Sequence, residues 1–422
     1  MEVNSLSFSD LFLSKKYIFL LFGNLVSGIA IVFFNLFMAN IITPDQFGVF
    51  IFVVSISIIT SQIIIFGSSG FFLNQFGAEN HNQILLHEKF LSHLLVNFII
   101  LLIISSLLSF LFVEKSSYVL SVLFISYVVT QVFLEINILI TQITNNFIRQ
   151  SMTLFIPHLL RIIAVLICIF LFDITSFEYI LLFILLANIG SIAILLAQHI
   201  QRVIFSLRRA VRNALNNYVL FFKAILGFGS YELSFLVYSQ LPFILMGILL
   251  NFDQVAIYSI VITISTIFIL PSSVFTKAYH PLLQQNANKS SETHKQTVLK
   301  FLFAMIILGF LMGVICFIIG SLMPSIFLDA NYSISADLIK IMSIFVFFRY
   351  LNSAISPSFY TKNYINTMAL FMMLIIILQF IFIISLLFIG AFNLFLLTYL
   401  SIALEVVFFI LCVIYLFRRI LN

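Results

Sequence analysis

Charged residues are scarce in this sequence. Only 8% of its 422 residues are Asp, Glu, Lys or Arg, against about 25% in soluble proteins, and tryptophan is absent. Hydrophobic residues make up 63% of the chain, which is more apolar surface than a soluble globule can bury. The composition therefore excludes soluble enzymes, extracellular domains and proteins that bind nucleic acid, and it predicts a protein of the lipid bilayer.

Cysteine is also rare. All three cysteines (Cys168, Cys316 and Cys412) fall in apolar runs, so we expect neither a disulfide framework nor a metal cluster. The sequence has no GxxxxGK[ST] phosphate-binding motif, and its longest predicted loop is short, around residues 280–300. An ATPase domain is therefore excluded. A membrane-embedded glycan polymerase or acyltransferase, which we expect to need a large external loop, is disfavoured. We predict no cofactor, no catalytic residue and no enzymatic activity.

Long apolar runs dominate the rest of the chain. A helix needs about 20 apolar residues to cross the hydrocarbon core, and twelve runs reach that length. They are continuous rather than alternating, which disfavours a transmembrane β-barrel. We therefore predict an all-α, polytopic integral membrane protein. The twelve spans are 17–42, 48–74, 90–113, 118–142, 153–172, 178–199, 223–250, 254–279, 299–322, 336–358, 366–389 and 393–417.

The distribution of basic residues predicts the orientation of these spans. With both termini cytoplasmic, fifteen of the twenty Lys and Arg residues lie on the inside, and only Lys115 lies in an outside loop. Cytoplasmic loops of membrane proteins carry this excess of positive charge. An odd number of spans would destroy the asymmetry, so we predict an even number, twelve, with both termini inside.

A short segment recurs at half the length of the chain. Residues 38–50 and 246–258 share Met, Asp and Gln at a constant offset of 208. Each segment joins the first and second spans of a six-span half, and six is even, so the halves are parallel repeats. We predict two six-helix bundles around a central cavity that work by alternating access. The bundles comprise residues 1–200 and 218–422, and a basic cytoplasmic linker, 201–217, joins them.

Polar side chains recur at helical spacing within several predicted spans. An intramembrane charge costs at least about 2.5–3.5 kcal/mol on insertion scales, so it usually faces a cavity or a partner. Polar stripes on several helices are what a shared aqueous cleft requires. The residues are Asn24, Gly28 and Asn35; Tyr127, Gln131, Glu135 and Gln142; Glu232 and Ser239; Arg349, Asn352, Ser353 and Ser356; and Thr398, Ser401 and Glu405.

The charged residues in these spans have two interpretations. Arg349 and Glu405 lie near the predicted midplane, and Arg161, Glu135 and Glu232 share the cytoplasmic half, so structural ion pairing is one. The other is function. Guanidinium groups bind phosphate oxygens bidentately, so both arginines are candidate anchors for an anionic substrate, and the three glutamates are candidate proton carriers.

Further candidates have weaker support. Asn24, Asn35 and Asn352 are polar enough to contact a substrate. Lys340 is also a candidate, although a lysine near a span end often extends to the headgroups. Pro242 and Pro271 interrupt two spans and are either hinges or packing kinks.

The first repeat carries the motif of a known family. Residues 39–48 read A-N-I-I-T-P-D-Q-F-G, after Ser14-Lys15-Lys16 and a first span that contains Gly and Asn. Gly67-Ser-Ser-Gly70 and Leu270-Pro271 also fit the pattern. The chain resembles the polysaccharide-export branch of the MOP flippase superfamily, and most of all the Wzx-type O-antigen or capsule-repeat flippases. The second repeat departs from the motif, with Phe252 and Ala256 in place of its Pro and Gly.

This resemblance implies a function. Such proteins move undecaprenyl-pyrophosphate-linked oligosaccharide, a precursor for lipopolysaccharide or capsule, from the cytoplasmic to the periplasmic leaflet of the bacterial inner membrane. It implies membrane lipid as a second partner, and the polymerase and chain-length proteins of the same pathway as further partners. The alternative is a MATE-like antiporter of cations or drugs, for which we expect an acidic site in the N-terminal half. There, Glu135 is the candidate.

Overall fold

The computed structural model describes the backbone of residues 15–68, 70–71, 93, 96–97, 99, 118–143, 146–197, 200–289, 291–361, 364–390 and 392–420. All regular secondary structure in this part of the chain is helical, and eleven helices have twenty or more residues. We number these α1 to α11 in chain order. They are α1 Lys15–Ile41, α2 Pro44–Ile65, α3 Tyr118–Ile143, α4 Phe147–Leu166, α5 Phe177–Ala197, α6 Ile200–Leu249, α7 Phe252–Lys289, α8 Ser291–Ile318, α9 Ile334–Thr361, α10 Ile365–Phe388 and α11 Leu394–Tyr415.

The eleven helices coincide with eleven of the twelve predicted spans. The remaining span, 90–113, lies almost entirely outside the described residues. Ten segments of the described chain are long and apolar enough to cross a membrane. Helix α9, whose middle carries Arg349, Asn352, Ser353 and Ser356, is not among them. The prediction of an all-helical membrane protein is confirmed, and the count of twelve spans holds approximately.

Helix α6 is longer than its predicted span. It runs without interruption for 50 residues and includes 201–217, the predicted linker. The sequence predicts a linker in residues 201–217 because this stretch is polar and basic. It contains no Pro or Gly before Gly227, and its Leu, Arg and Ala residues are good helix formers, so the backbone continues as a helix into the apolar span.

The internal repeat is visible in the helix boundaries. Helix α1 ends at Ile41 and α6 ends at Leu249, while α2 begins at Pro44 and α7 begins at Phe252. Both pairs differ by 208 residues, which is the offset of the repeated segment. The structure therefore supports the parallel repeat at the turn where the sequence predicts it.

Helix capping explains part of the repeated sequence. The backbone N–H of Gln46 donates to Thr43 Oγ1 (3.4 Å), and the N–H of Thr43 donates to Gln46 Oε1 (3.3 Å). This reciprocal pair is a capping box. At the equivalent position of the second turn, the N–H of Gln254 donates to Asn251 Oδ1 (3.1 Å). Thr and Asn both satisfy an orphan donor at a helix N-terminus, so each half can start its second helix sharply.

The two repeated turns pack against each other. A Cβ atom at Gly48 would overlap the backbone carbonyl of Phe252. Gly48 therefore permits a close backbone approach that no other residue allows. Its counterpart in the second repeat is Ala256, which is fully buried. Small residues at both positions are what two turns in contact require.

The chain divides into two compact units, and neither unit has the same boundaries as one half of the repeat. One unit comprises Met1–Ile51 and Leu241–Asn422, and the other comprises Phe52–Gln240. In the first unit, α1 packs against α7, where Asn35 Nδ2 donates to Thr263 Oγ1 (3.2 Å). In the second unit, the end of α2 packs against α6, where Gly67, with a φ of 68°, faces Gly229.

These units follow packing, whereas the predicted bundles of 1–200 and 218–422 follow the repeat. In each unit, the helix that opens one half lies with helices of the other half. The division into bundles by sequence therefore stays a prediction about the repeat.

Candidate functional site

The buried charge of the first unit lies where α9 faces α11. Arg349 Nη1 donates to Glu405 Oε1 (3.0 Å), and Asn352 Nδ2 donates to the other carboxylate oxygen, Oε2 (2.6 Å). The Glu405 side chain is only 2% exposed and that of Arg349 18%. The guanidinium also lies 5.6 Å from the ring centroid of Phe345. Arg349 and Glu405, which share a predicted depth, therefore form an ion pair, in which the carboxylate compensates the charge of the guanidinium.

Hydrogen bonds between helices use other members of the same polar stripes. The hydroxyl groups of Ser353 and Ser272 lie 3.3 Å apart, and Thr276 Oγ1 donates to the carbonyl oxygen of Ser353 (3.1 Å). The hydroxyl groups of Ser401 and Tyr258 lie 2.9 Å apart. These bonds join α7 to α9 and to α11. Polar side chains commonly hold helices together in lipid, so part of each stripe is structural.

Arg161 is the centre of a different cluster in the second unit. Its Nε donates to Asn188 Oδ1 (2.8 Å), which joins α4 to α5. Its guanidinium carbon lies 4.2 Å above the ring centroid of Tyr127 on α3. Arg161 is 3% exposed, and its Nη2 atom has no hydrogen-bond partner among the described residues. Among the described residues, Tyr127 and His158 are titratable groups that interact with its charge.

Arg161 therefore keeps its positive charge. Within the described part of the chain no carboxylate pairs with it, so the expected proximity to Glu135 and Glu232 does not become an ion pair. Its stabilising contacts are a neutral amide and an aromatic ring. A cation over a ring gains about 0.5–2 kcal/mol, which offsets part of the desolvation cost without cancelling the charge.

The acidic residues of the second unit form a third cluster. Gln62 Nε2, on α2, donates to Glu232 Oε2 on α6 (3.0 Å). Glu135, on α3, is close enough to Glu232 for the two carboxylates to interact electrostatically. Two carboxylates in a low-dielectric site repel each other unless a proton or a cation lies between them. This cluster is therefore suited to bind positive charge.

The remaining predicted residues lie on α1, α6, α7 and α9. Lys340 pairs with Asp337 across 2.7 Å, with its side chain 45% exposed. Asn35 bonds to α7, as described above, and Asn24 is half-buried in α1. Pro242 lies inside α6, close to the boundary between the compact units, and Pro271 lies inside α7. The roles of all these residues as substrate or hinge residues stay predictions.

One of the three cysteines, Cys412, lies close enough to Glu405 for the carboxylate to act on it electrostatically. Cys168, Cys316 and Cys412 are buried free thiols. Within the described residues, no group of three or more His, Cys, Asp or Glu side chains could hold a metal ion.

Two partner residues belong to none of the polar stripes in the sequence. The helical faces of Asn188 and Gln62 are mostly apolar, and the polar residues on them are serines, such as Ser191 and Ser55. Serine is common in membrane helices. Neither amide therefore marks a polar stripe. A single amide in a predicted span is itself a signal, because an amide in lipid needs a partner. The sequence does not reveal which helix supplies that partner.

Solved structures of transporters share this fold. The MATE multidrug transporter DinF-BH is 13% identical, with a TM-score of 0.66 over 98% of this chain and 97% of that one. The outward-facing conformation of a multidrug resistance MATE family transporter of the MOP superfamily is 12% identical, with a TM-score of 0.64 over 96% of this chain and 95% of that one. The eukaryotic MATE transporter AtDTX14 is 14% identical, with a TM-score of 0.62 over 95% of each chain.

Sequence comparison alone identifies no relative. No protein-family model matches the chain, and no curated protein matches it. The likeness at this identity shows the fold alone. The chain thus has the fold of MATE transporters, and nearly the whole length of both chains is covered.

Proposed function

We propose that this protein is a flippase that moves an undecaprenyl-pyrophosphate-linked oligosaccharide from the cytoplasmic to the periplasmic leaflet of the bacterial inner membrane by alternating access. The observation that carries the proposal is the charge of Arg161, to which the described residues offer no carboxylate partner. Such an arginine in the bilayer is costly, and an anionic substrate gives it a reason to be there. The MATE-like fold supports transport, and the resemblance of the first repeat supports a glycolipid substrate.

The partners of the two arginines rank them as substrate anchors. Arg349 must release Glu405 before it can bind a phosphate, whereas Arg161 needs only to become accessible. Arg161 is therefore the first candidate to contact the pyrophosphate, and Arg349 is the second. Asn352 bonds to Glu405, so it serves the ion pair before it serves a substrate.

The acidic cluster is the proposed site of energy coupling. Export driven by proton entry requires that protonation of the transporter favours release of the substrate on the outside. At the Arg349–Glu405 pair, protonation of Glu405 would free the arginine and strengthen anion binding, which is the wrong sign for export. Glu135 and Glu232 do not hold Arg161 in an ion pair, so their protonation does not release that arginine. We therefore assign proton coupling to them and a structural role to Glu405.

A MATE-like antiporter is the second candidate, and the acidic cluster favours it. Two carboxylates with an amide donor would suit a cationic substrate that competes with protons. The positive charge of Arg161 would repel the cationic substrate of such a pump, so an antiporter does not explain why this arginine is there. The two functions therefore make opposite predictions for the same two clusters.

Proteoliposomes distinguish the two candidates. We expect the purified protein to translocate an undecaprenyl-pyrophosphate that carries one labelled sugar. Arg161→Ala should abolish this translocation, and Arg161→Lys should rescue it in part, because lysine keeps the charge but not the bidentate geometry. Lys300→Ala, which removes an exposed charge outside the candidate site, is the matched control and should leave translocation unchanged.

A cationic dye supplies the opposing test. If the chain is an antiporter, it exports the dye, Glu232→Gln abolishes export, and Arg161→Ala leaves it intact. That result, together with no movement of the glycolipid by the wild-type protein, contradicts the flippase.

A further inference from the structure

Two arginines in predicted membrane spans are held by different kinds of hydrogen-bond acceptor. Arg349 is held by a carboxylate, whereas Arg161 is held by the amide of Asn188. Both partners accept a hydrogen bond from the guanidinium at nearly the same distance, 3.0 and 2.8 Å. They differ in charge. A carboxylate cancels the charge of its arginine, and an amide positions the arginine but leaves it positive.

The amide of Asn188 is fixed in one orientation. Arg161 can only donate hydrogen bonds, so the oxygen Oδ1 faces it. The nitrogen Nδ2 donates to Ser126 Oγ (3.0 Å), and that hydroxyl donates to the carbonyl oxygen of Leu123 (2.8 Å). Asn188 is fully buried and Ser126 is 7% exposed. The chain of bonds from α3 to α5 therefore holds the guanidinium through Nε, while Nη2 has no partner among the described residues.

We propose that Asn188 is the positioning residue that determines the charge selectivity of this site. It orients Arg161 with a neutral acceptor, so that the guanidinium retains a full positive charge and an uncommitted donor for a phosphate-type anion. This inference rests on the proposed function and extends it to a residue that does not itself contact the substrate.

An aspartate at position 188 fits the same space. Asp has nearly the shape of Asn, and its Oδ1 would accept the bond from Arg161. The second oxygen would face Ser126 Oγ, and the hydroxyl can rotate to donate to it instead of to Leu123. Asn188→Asp therefore changes the charge of the cluster with little change in its packing. The new carboxylate and Arg161 would form a buried pair of the kind that Glu405 and Arg349 already form.

The test is binding of inorganic pyrophosphate to the purified full-length protein. We expect wild type to bind, and Asn188→Asp to weaken binding by about tenfold or more, because the new carboxylate repels the anion and neutralises its anchor. Thermal stability of Asn188→Asp should equal or exceed that of wild type. Asn188→Ala is the matched control, since it removes the positioning bond and keeps the charge. It should lose stability and weaken binding less than Asp.

If Asn188 has only a structural role, the two variants should rank in the opposite order for loss of pyrophosphate binding. Asn188→Ala would then impair binding at least as much as Asn188→Asp, in proportion to the stability lost. Equal binding by wild type and Asn188→Asp, or no binding of pyrophosphate by wild type, overturns the proposal.

The proposed function can fail separately. Wild type that binds pyrophosphate in an Asn188-dependent manner but does not translocate the glycolipid contradicts the flippase and leaves the inference standing. Normal translocation by Asn188→Asp contradicts the inference alone.

Discussion

The ion pair between Arg349 and Glu405 should behave as one structural unit. Loss of one partner from a buried pair costs about 3–5 kcal/mol, because the other charge is left without compensation. Arg349→Met leaves the carboxylate of Glu405 buried, but the 2.6 Å bond from Asn352 still stabilises it. We therefore expect a loss near the lower end, about 3 kcal/mol.

Substitution of the other partner, Glu405, should destabilise the protein less. Glu405→Gln keeps an acceptor for Asn352, and the guanidinium it leaves behind is the more exposed of the two groups, at 18% against 2%. We expect a loss of about 2 kcal/mol. The double variant removes both charges, so its loss should fall short of the sum by about 2 kcal/mol, which is the coupling between the two sites.

Denaturant unfolding in mixed micelles measures these differences, and the amount of protein in the membrane reports them in cells. The double variant should be recovered at about the same level as Arg349→Met alone, although it carries a second substitution. Additivity within about 0.5 kcal/mol would refute the pair as a structural unit. Arg349 would then be an independent group, available to a substrate without displacement of Glu405.

Three further predictions follow from local structure. Gly48→Ala should destabilise the protein by about 1–3 kcal/mol, because its Cβ meets the backbone of Phe252, whereas Gly190→Ala, which has room, should not. Equal melting temperatures for the two variants would contradict the close approach. Thr43→Ala should cost about 1 kcal/mol through its lost cap, and Thr43→Ser should cost little; equal losses would refute the capping role. Burial raises the pKa of Tyr332, aided by nearby Asp carboxylates, so the phenol stays neutral in the fold while the unfolded chain ionises near pH 10. Stability should therefore fall as the pH rises above about 10, and Tyr332→Phe should lessen that fall. An unchanged pH profile of unfolding would contradict it.

The positions of the helices could be predicted because they follow from composition alone. Apolar length set the spans, and the helix boundaries at Ile41 and Leu249 repeat at the predicted offset. The start of α6 was missed, because the predicted span begins at 223 and the helix begins at Ile200. Hydropathy identifies what enters lipid, and the first third of α6 is too polar to register, although its helix propensity is high.

The candidate site was only partly predictable. Predicted depth along the membrane normal places Arg349 at the same level as Glu405, and in the structure their side chains are 3.0 Å apart. The same argument placed Arg161 with Glu135 and Glu232, and the structure instead gives it Asn188. Depth is one coordinate, and it does not say which helices are neighbours. That information comes from packing, which one sequence does not encode in any local pattern.

The most direct test of the proposed flippase measures translocation of an undecaprenyl-pyrophosphate-linked sugar in proteoliposomes by three proteins: wild type, Arg161→Ala and Arg349→Met/Glu405→Gln. We expect movement by the wild type, none by Arg161→Ala, and substantial movement by the double variant, which lacks the neutral pair but keeps the cation of Arg161. Full activity of Arg161→Ala, at normal protein level, would show that this arginine does not anchor the substrate.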